Sequence, residues 1–370
     1  MLFFKQIKKN LAQGFTRDLL PAEPFAKKGR QLMKAMVVDK DYGSVSPQEI
    51  ETVRAAYAAA GITLEAHHFT SEDEIIAGCQ DAEILLGTGN PPITRRVLEA
   101  LPKLKYVQRF GIGVNSIDLE AAAERGVAVL NLPGFCAKEL ADLAAAMFLA
   151  LIRNTVYYDR EIRKGGWPKC TYLLPLDVRE LTLGLYGFGA AAQELYKIFR
   201  GGYGCRILAC DPYLPDAVKA AFPDVEFVDF ERLTAESDLL SIHVGLTPET
   251  FHVFNDETFR RMKNSALIVN TARGPIIDQK ALARALQTGE IRGAGLDTVE
   301  VEPIEKDDPL LGMDNVILSA HCGSYGIGAK KTQIETVCRL VPEAVSAGRL
   351  PKRNVANKAV LNKLSGLELC

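Results

Sequence analysis

The sequence predicts an α/β fold with two doubly wound parallel-sheet domains, and three observations support this prediction. From Ala35 onward, short apolar β-type runs alternate with amphipathic, alanine-rich segments, which is the pattern of βαβ units. A glycine-rich turn at 187–189 follows an apolar run and begins a second series of the same kind. With 370 residues, 48% of them apolar, the chain is large enough for two hydrophobic cores.

The first series predicts most of one domain. Strands are expected at 36–39, 62–66, 84–87 and 105–109, with helices at 47–60, 72–78 and 94–101 between them. A glycine-rich corner at 109–115 and a strand at 127–131 follow. A long Ala/Leu helix from Lys138 to about Arg163 is then expected to connect the domains.

The second series predicts the other domain, a doubly wound parallel sheet. Its strands are expected at 182–186, 206–210, 226–228, 239–243, 266–270, 293–297 and 316–319. A last helix at 330–347 is expected to return to the first domain. The predicted boundaries are 35–115 with 322–370 for one domain and 116–321 for the other, preceded by a basic leader at 1–34.

The glycine-rich turn has the form of a dinucleotide-binding fingerprint. Gly187 and Gly189 allow a tight strand-to-helix turn, Ala192 takes the third position, and the start of the helix favours a phosphate. Asp211 ends the next strand, 24 residues after Gly187, where a carboxylate can bind a ribose diol and repel a 2′-phosphate. The glycines alone often bind nothing, and Asp211 before Pro212 could alone be a turn residue. Together they predict a site for NAD.

Groups suited to hydride transfer to a 2-oxo acid follow the neighbouring strands. In an open α/β sheet, ligands bind at the carboxyl ends of the strands. Arg273 at such an end could hold a carboxylate by paired hydrogen bonds, and His321 could supply a proton near neutral pH. Glu302 could orient that imidazole. His243 also follows a strand and is expected to line a wall of the site.

The three reactive groups also have structural interpretations. His321 could be a core histidine whose hydrogen bonds are satisfied. Arg273 and Glu302 each stand beside a turn-forming residue and could belong to surface turns. The functional interpretation therefore depends on all three side chains meeting at one end of one sheet.

These segments resemble the D-isomer-specific 2-hydroxyacid dehydrogenases over about residues 36–357. The motifs that carry the resemblance are the 187–192 fingerprint, Asp211-Pro212-Tyr213, the 269–274 segment, Gly295-Leu296-Asp297 leading to Glu302-Pro303, and His321 followed by Gly323-Ser324. The resemblance implies a flavodoxin-like substrate domain and a Rossmann NAD-binding domain with a cleft between them. It also implies a homodimer that moves a hydride between NAD(H) and a small D-2-hydroxy acid or 2-oxo acid.

The motifs and the resemblance together indicate the site residues. The catalytic positions are Arg273, Glu302 and His321. The cofactor-binding positions are Gly187, Phe188, Gly189, Ala190, Ala191, Asp211, His243, Val244, Gly245, Thr271, Ala272 and Asp297. By resemblance, Asp297 would contact the nicotinamide carboxamide. The substrate-binding positions are Arg109, Ile112, Gly113 and Arg273.

Within the family, the nearest likeness is to the C-terminal-binding-protein-like branch. The likeness rests on His243-x-Gly245-Leu246 in place of His-x-Pro-Leu, on Asp211-Pro212-Tyr213-Leu214 and on Ala141-Asp142. An alternative function is therefore an NADH-sensing interaction or regulatory protein with weak dehydrogenase activity. Ser324 stands where that branch often has a bulky aromatic residue, and loops at 41–45 and 88–92 would decide which acid binds. An enzyme for formate is disfavoured because a Glu302–His321 pair is not its pattern.

Composition argues against several other classes. A net charge of −2 gives no basic field for nucleic acid or an anionic membrane, and the apolar run at 143–152 is too short to span a bilayer. Eight cysteines show no CxxC pair and no metal-ligand spacing, so reduced thiols, no metal and a cytoplasmic location are expected. The leader at 1–34 has eight basic and two acidic residues. It could be an organelle-targeting segment, a docking arm, or sequence upstream of a start at Met33 or Met36.

Overall fold

The structure, a computed structural model, describes residues 32–39, 45–169, 172–364 and 366–370. Most of the predicted leader at 1–34 and of the 41–45 loop lies outside the described residues. The described chain divides into two compact units. Unit 1 runs to Phe135 and resumes at Ile327, and unit 2 is Cys136–Gly326.

Unit 1 is built on a five-stranded sheet in which all neighbouring strands are parallel. The strands are β1 (Met33–Val37), β2 (Ile62–Ala66), β3 (Ile84–Gly87), β4 (Tyr106–Arg109) and β5 (Ala128–Leu130). Their order is β2-β1-β3-β4-β5, which is the flavodoxin-like order, so the predicted fold of this domain is confirmed. Every residue of β3 is buried, which explains its uninterrupted apolar sequence.

The helices of unit 1 include the last long helix of the chain. They are Pro47–Ala59, Glu72–Gly78, Arg95–Ala100, Leu119–Glu124 and Ile327–Ser346, with 3₁₀ turns at Lys352–Asn354 and Lys358–Lys363. Ser46 begins the first of them with a capping box, in which it exchanges hydrogen bonds with Glu49. The last helix buries Val337, Leu340 and Val341 in the core that also holds β1 and β2 residues. It therefore returns to the first domain, as the sequence predicted.

Both domain boundaries lie later in the chain than the predicted 115–116 and 321–322. β5 pairs with β4, for example at Gln108 and Leu130, so residues 116–135 belong to unit 1. The second boundary lies between Gly326 and Ile327 because the turn after residue 321 is hydrogen-bonded to Asp297 of unit 2. The sequence signals for strand and helix were correct here, but they do not show which sheet a strand joins.

Unit 2 is built on a seven-stranded parallel sheet. The strands are β6 (Thr182–Tyr186), β7 (Arg206–Cys210), β8 (Val225–Phe227), β9 (Leu239–Ile242), β10 (Leu267–Asn270), β11 (Gly293–Leu296) and β12 (Val316–Leu318). Their order is β12-β11-β10-β9-β6-β7-β8, so the strand order reverses between β6 and β9. This is the switch point at which doubly wound sheets bind ligands, and the predicted Rossmann-type fold is confirmed.

The helices of unit 2 differ from the sequence prediction at one place. They are Ala137–Arg153, Thr155–Arg163, Ala190–Tyr196 with a π turn at Lys197–Gly201, Asp216–Ala220, Phe230–Glu236, Asp256–Arg261 and Gln279–Thr288, with 3₁₀ turns at Val178–Glu180, Gly274–Ile276 and Pro309–Gly312. The predicted helix from Lys138 to Arg163 is broken at Asn154, which adopts a left-handed φ of 54° and donates from Nδ2 to the Leu173 carbonyl at 2.6 Å. Asparagine is one of the few residues that tolerate this conformation.

Two short parallel strands, β13 (Arg349–Leu350) and β14 (Glu368–Leu369), complete unit 1. Across the described ranges, no single helix is long and apolar enough to cross a membrane. Among these residues, only the bent pair Ala137–Arg153 and Thr155–Arg163 reaches the required length and apolar composition, and only when its two helices are taken together. No three His, Cys, Asp or Glu side chains within those ranges are grouped so that they could hold a metal ion.

Candidate active site

The turn after β6 has a backbone that only glycine suits. Gly187 has a φ of +89°, and its N–H donates to the Cys210 carbonyl of β7 at 2.8 Å. A Cβ there would lie 2.9 Å from the carbonyl carbon and oxygen of His243, which follows β9. The turn is therefore held close to both neighbouring strand ends, directly at the switch point.

The helix that follows this turn leaves room for a phosphate. Gly189 is its N-cap and has no side chain that could cap the first N–H groups. The space where a Cβ of residue 189 would stand is open. Ala192 is fully buried, as close packing of helix and strand requires at the third fingerprint position. Ala190 and Ala191 occupy the first turn, where N–H groups have no helical carbonyl to bind. The fingerprint residues therefore fit a dinucleotide pyrophosphate.

Asp211 is a turn residue, as one interpretation of its position predicted, and it also braces the fingerprint turn. One carboxylate oxygen accepts the Phe188 N–H at 2.9 Å, which braces the fingerprint turn. The other accepts the Tyr213 N–H at 3.1 Å, which makes Asp211 a turn residue as well. Each carboxylate oxygen can accept more than one hydrogen bond, so the group can still receive ribose hydroxyls.

His243 lies beside the fingerprint turn as a neutral side chain. The backbone N–H of His243 donates to the Tyr186 carbonyl at 2.7 Å. Burial lowers the pKa of its imidazole to about 4. Its Nε2 is buried and has no hydrogen-bond partner among the described residues. Val244 and Gly245 continue the same strand end. These properties suit a wall of a cofactor site better than proton transfer at neutral pH.

Arg273 is positioned by a buried asparagine that the sequence reasoning missed. The side chain of Asn270, at the end of β10, donates to the Arg273 carbonyl and accepts the Ala272 N–H, both at 2.9 Å. It thus closes the turn that contains Thr271 and Ala272. Arg273 Nη1 donates to the Ala272 carbonyl at 2.6 Å. Burial lowers the pKa of the guanidinium and the charge of Glu302 opposes this effect, so the group stays a cation.

The structure brings His321 and Glu302 together. His321 Nδ1 lies 2.8 Å from Glu302 Oε2, and both side chains are partly exposed. His321 has a left-handed φ of 50°, a conformation that non-glycine residues adopt only when their surroundings hold them. All three predicted catalytic residues lie in unit 2, on the loops that follow β10, β11 and β12.

Asp297 supplies the hydrogen bonds that hold the turn of His321. Its carboxylate accepts the Ser319 hydroxyl at 2.6 Å, the Cys322 N–H at 2.9 Å and the Gly323 N–H at 2.8 Å. Its carbonyl also accepts the His321 N–H at 2.7 Å. Asp297 is 2% exposed. The contact to the nicotinamide that the resemblance implied stays a prediction, whereas a role in shaping the His321 turn is visible.

The predicted substrate-binding residues Arg109, Ile112 and Gly113 belong to unit 1. Arg109 Nε donates to the Gly113 carbonyl at 2.8 Å, and its Nη1 donates to the Gly87 carbonyl at 3.2 Å. Ile112 is partly exposed, and its carbonyl accepts a hydrogen bond from Asn131 Nδ2 at 2.8 Å. Part of the guanidinium therefore stabilises this loop.

A second histidine pair near the catalytic loops was not predicted. His252 Nε2 lies 3.0 Å from Glu300 Oε1. The two residues are far apart in the sequence, and no motif spacing connects them.

The chain is similar in sequence and in structure to known dehydrogenases and reductases. The family model "D-isomer specific 2-hydroxyacid dehydrogenase, NAD binding domain" matches residues 145–323. The chain is 38% identical over 294 residues to the glyoxylate reductase of Korarchaeum cryptofilum, covering 79% of this chain and 87% of that protein. It is 37% identical over 275 residues to the hydroxypyruvate reductase of Thermotoga maritima, covering 74% and 88%. A solved glyoxylate reductase from Paecilomyes thermophila matches with a TM-score of 0.76 and 26% identity, covering 85% of this chain and 96% of that chain.

Proposed function

The chain belongs to the D-isomer-specific 2-hydroxyacid dehydrogenase family, and on this premise we propose that it is an NAD-dependent oxidoreductase that transfers a hydride between NAD(H) and a small D-2-hydroxy acid or 2-oxo acid. The observation that carries the proposal is the 2.8 Å contact between His321 and Glu302, at the carboxyl edge of the sheet that also carries the fingerprint turn. A protein that only binds the dinucleotide needs no proton donor there.

His321 is the proton donor when the acid is reduced. Bound NADH supplies the hydride that the carbonyl carbon receives, and the developing alkoxide oxygen then needs a proton. Because Nδ1 of His321 faces Glu302, Nε2 is the nitrogen that gives this proton. The Glu302 carboxylate fixes the ring and stabilises the imidazolium by its charge, as the carboxylate does in other His–carboxylate pairs. In oxidation of the hydroxy acid, the same nitrogen accepts the proton.

Arg273 binds the carboxylate and polarises the carbonyl oxygen of the substrate. Its guanidinium can donate two parallel hydrogen bonds to a carboxylate. The group is largely removed from water, which strengthens its attraction for an anion. The turn closed by Asn270 holds it in place. The roles of Arg109, Ile112 and Gly113 toward the substrate stay predictions.

A panel of 2-oxo acids, assayed by NADH absorbance with NADPH in parallel, tests the proposal. Glyoxylate and hydroxypyruvate come first because two relatives are named for these acids. His321→Ala should lower kcat by about 10²–10⁴, the usual contribution of general acid catalysis.

The chain offers a matched control for this variant. His67 has the same exposed fraction, 48%, and also faces a glutamate, Glu65. His67→Ala should therefore leave turnover unchanged. NADH binding without turnover of any acid, or near wild-type turnover by His321→Ala, would contradict the proposal.

The alternative of an NADH-sensing interaction protein is not favoured, because the relatives that match most of this chain are named as reductases and dehydrogenases. The finer assignment to the C-terminal-binding-protein-like branch stays a prediction that rests on His243-x-Gly245-Leu246, Asp211-Pro212-Tyr213-Leu214 and Ala141-Asp142. The same acid panel tests it, since a sensor of that type would bind NADH and turn over acids only weakly.

We propose further that the chain forms a homodimer. Ile162, Trp167 and Leu174 are exposed large apolar side chains of unit 2, and Trp167 is 73% exposed. All three belong to the segment 162–174, and an exposed apolar segment is a candidate interface. Sedimentation of the wild type and of Trp167→Glu tests this, and a wild-type monomer would contradict it. The cytoplasmic location and the absence of nucleic-acid and membrane partners stay predictions.

A further inference from the structure

The second histidine–glutamate pair, His252 and Glu300, takes its glutamate from the same acidic segment as the catalytic pair. His252 Nε2 lies 3.0 Å from Glu300 Oε1, and two residues later Glu302 faces His321. His252 and His321 both have left-handed backbones, with φ of 51° and 50°. Such conformations persist in non-glycine residues when surrounding contacts impose them. The 297–302 segment is therefore held between two histidines, of which the proposed chemistry uses one.

Glu300 is also bound to the start of the helix Gln279–Thr288. Its second carboxylate oxygen accepts the Gln279 N–H at 3.2 Å, and its own N–H donates to Gln279 Oε1 at 2.8 Å. Gln279 Nε2 in turn donates to Asp308 Oδ2 at 2.5 Å. Glu300 therefore has backbone and side-chain contacts to one residue and a side-chain contact to His252.

These contacts connect the segment of Glu302 to the turn of Arg273. Gln279 follows Arg273 by six residues. The backbone N–H of His252 donates to the Pro275 carbonyl, two residues after Arg273, at 2.9 Å. Gly274, next to Arg273, lies so close to the Val299 carbonyl that a Cβ would come within 1.8 Å of it. Hence the two loops that carry Arg273 and Glu302 touch, and the Glu300 contacts fix how they touch.

We propose that His252, Glu300 and Gln279 are positioning residues for the hydride-transfer reaction. They hold the Glu302 segment against the Arg273 turn, and this sets the orientation of the Glu302 carboxylate toward His321. The inference deepens the proposed function and rests on it, because the reaction gives the His321–Glu302 geometry its purpose. None of the three residues needs to touch the substrate or the cofactor.

Two variants remove the contacts in different ways. Glu300→Gln keeps an acceptor for the Gln279 N–H but loses the charge that His252 faces. His252→Asn removes the imidazole while keeping a residue that tolerates a left-handed backbone, so it remains informative should Glu300→Gln fold poorly. Glu65→Gln is the matched control, since Glu65 faces His67 in unit 1.

The first measurement needs no turnover. The chain has five histidines, so the Nδ1–H proton of His321 can be assigned in the NMR spectrum by its loss in His321→Gln. We expect this downfield signal to move upfield or disappear in Glu300→Gln and in His252→Asn, and to persist in Glu65→Gln. An unchanged signal in either folded variant would overturn the proposal, whether or not the protein reduces any acid.

The second measurement is a double-mutant cycle with Glu302→Gln. We expect Glu300→Gln to lower kcat by up to roughly a hundredfold, the loss that about 1 Å of misplacement can cause, while the Kd of NADH changes less than about twofold. Added to Glu302→Gln, it should lower kcat little further, because residues that act through one another are not additive. Effects that multiply would show that Glu300 does not act through Glu302. If the wild type turns over no acid, the proposed function fails while the NMR result still decides the positioning role.

Discussion

Replacement of Gly274 by alanine should separate the two loops that carry Arg273 and Glu302. A Cβ at Gly274 would lie 1.8 Å from the Val299 carbonyl oxygen, 2.0 Å from its carbon and 2.6 Å from the Glu300 nitrogen. Ordinary contact begins at 3.4 Å, so the backbone must retreat by about 1.6 Å, and no flexible side chain is available to absorb the movement. A displacement of this size at a reacting group costs roughly a hundredfold in rate.

The assay separates this geometric effect from a loss of fold. Overpacking of a tight contact costs about 1–3 kcal/mol, and each kcal/mol lowers the melting temperature of a unit of this size by about 2–4 °C. We expect Gly274→Ala to remain folded by circular dichroism, to bind NADH as the wild type does and to lose kcat. Gly312→Ala is the control, because nothing lies within 4 Å of the added Cβ there. A kcat within twofold of the wild type would refute the reasoning.

Three further variants test other parts of unit 2. Asp211→Ser should lower kcat/KM for NADH by roughly tenfold to a hundredfold, because charge-assisted hydrogen bonds are worth about 1.5–3 kcal/mol. It should raise kcat/KM for NADPH, because the carboxylate no longer repels the 2′-phosphate. An unchanged ratio of kcat/KM for NADH to that for NADPH would count against the ribose contact. Asp297→Asn turns one acceptor of the His321 turn into a donor, so thermal melting should show a loss of about 1–3 kcal/mol together with a lower kcat. Glu226→Gln tests a surface ion-pair network, in which hydrogen bonds from Arg206 lower the pKa of Glu226 to about 2. Because that pKa is depressed, the stabilisation is present above about pH 4.5 and disappears toward pH 2. The side chain is 45% exposed, so the variant should lose at most about 1 kcal/mol at neutral pH, and high salt should remove the difference.

The parts of the fold that the sequence predicted are those with strong local signals. The helix Glu72–Gly78 and the strands Ile62–Ala66 and Ile84–Gly87 occur where apolar periodicity and breakers placed them. The fingerprint turn was predictable because a positive φ at Gly187 requires a residue without a Cβ.

The parts that sequence could not predict depend on contacts between distant residues. The break at Asn154 is stabilised by a hydrogen bond to the Leu173 carbonyl, which lies 19 residues away. The assignment of β5 to unit 1 depends on its pairing with β4 rather than on its own composition. Likewise no motif marks His252, and Asn270 lies within the 269–274 motif without a signal for its role. Both roles depend on which loops the sheet order brings together.

That sheet order explains why one acidic segment is connected to every member of the catalytic group. β11 lies between β10 and β12, so the loop after β11 lies between the Arg273 turn and the His321 turn. Its three carboxylates have different partners: Asp297 holds the turn of His321, Glu300 binds Gln279 beyond the Arg273 turn, and Glu302 faces the imidazole. A change in this middle loop therefore disturbs both neighbours, whereas a change in either outer loop disturbs one. For this reason substitutions within 297–302 should lower kcat more than equally conservative substitutions in the two outer turns that spare Arg273 and His321 themselves.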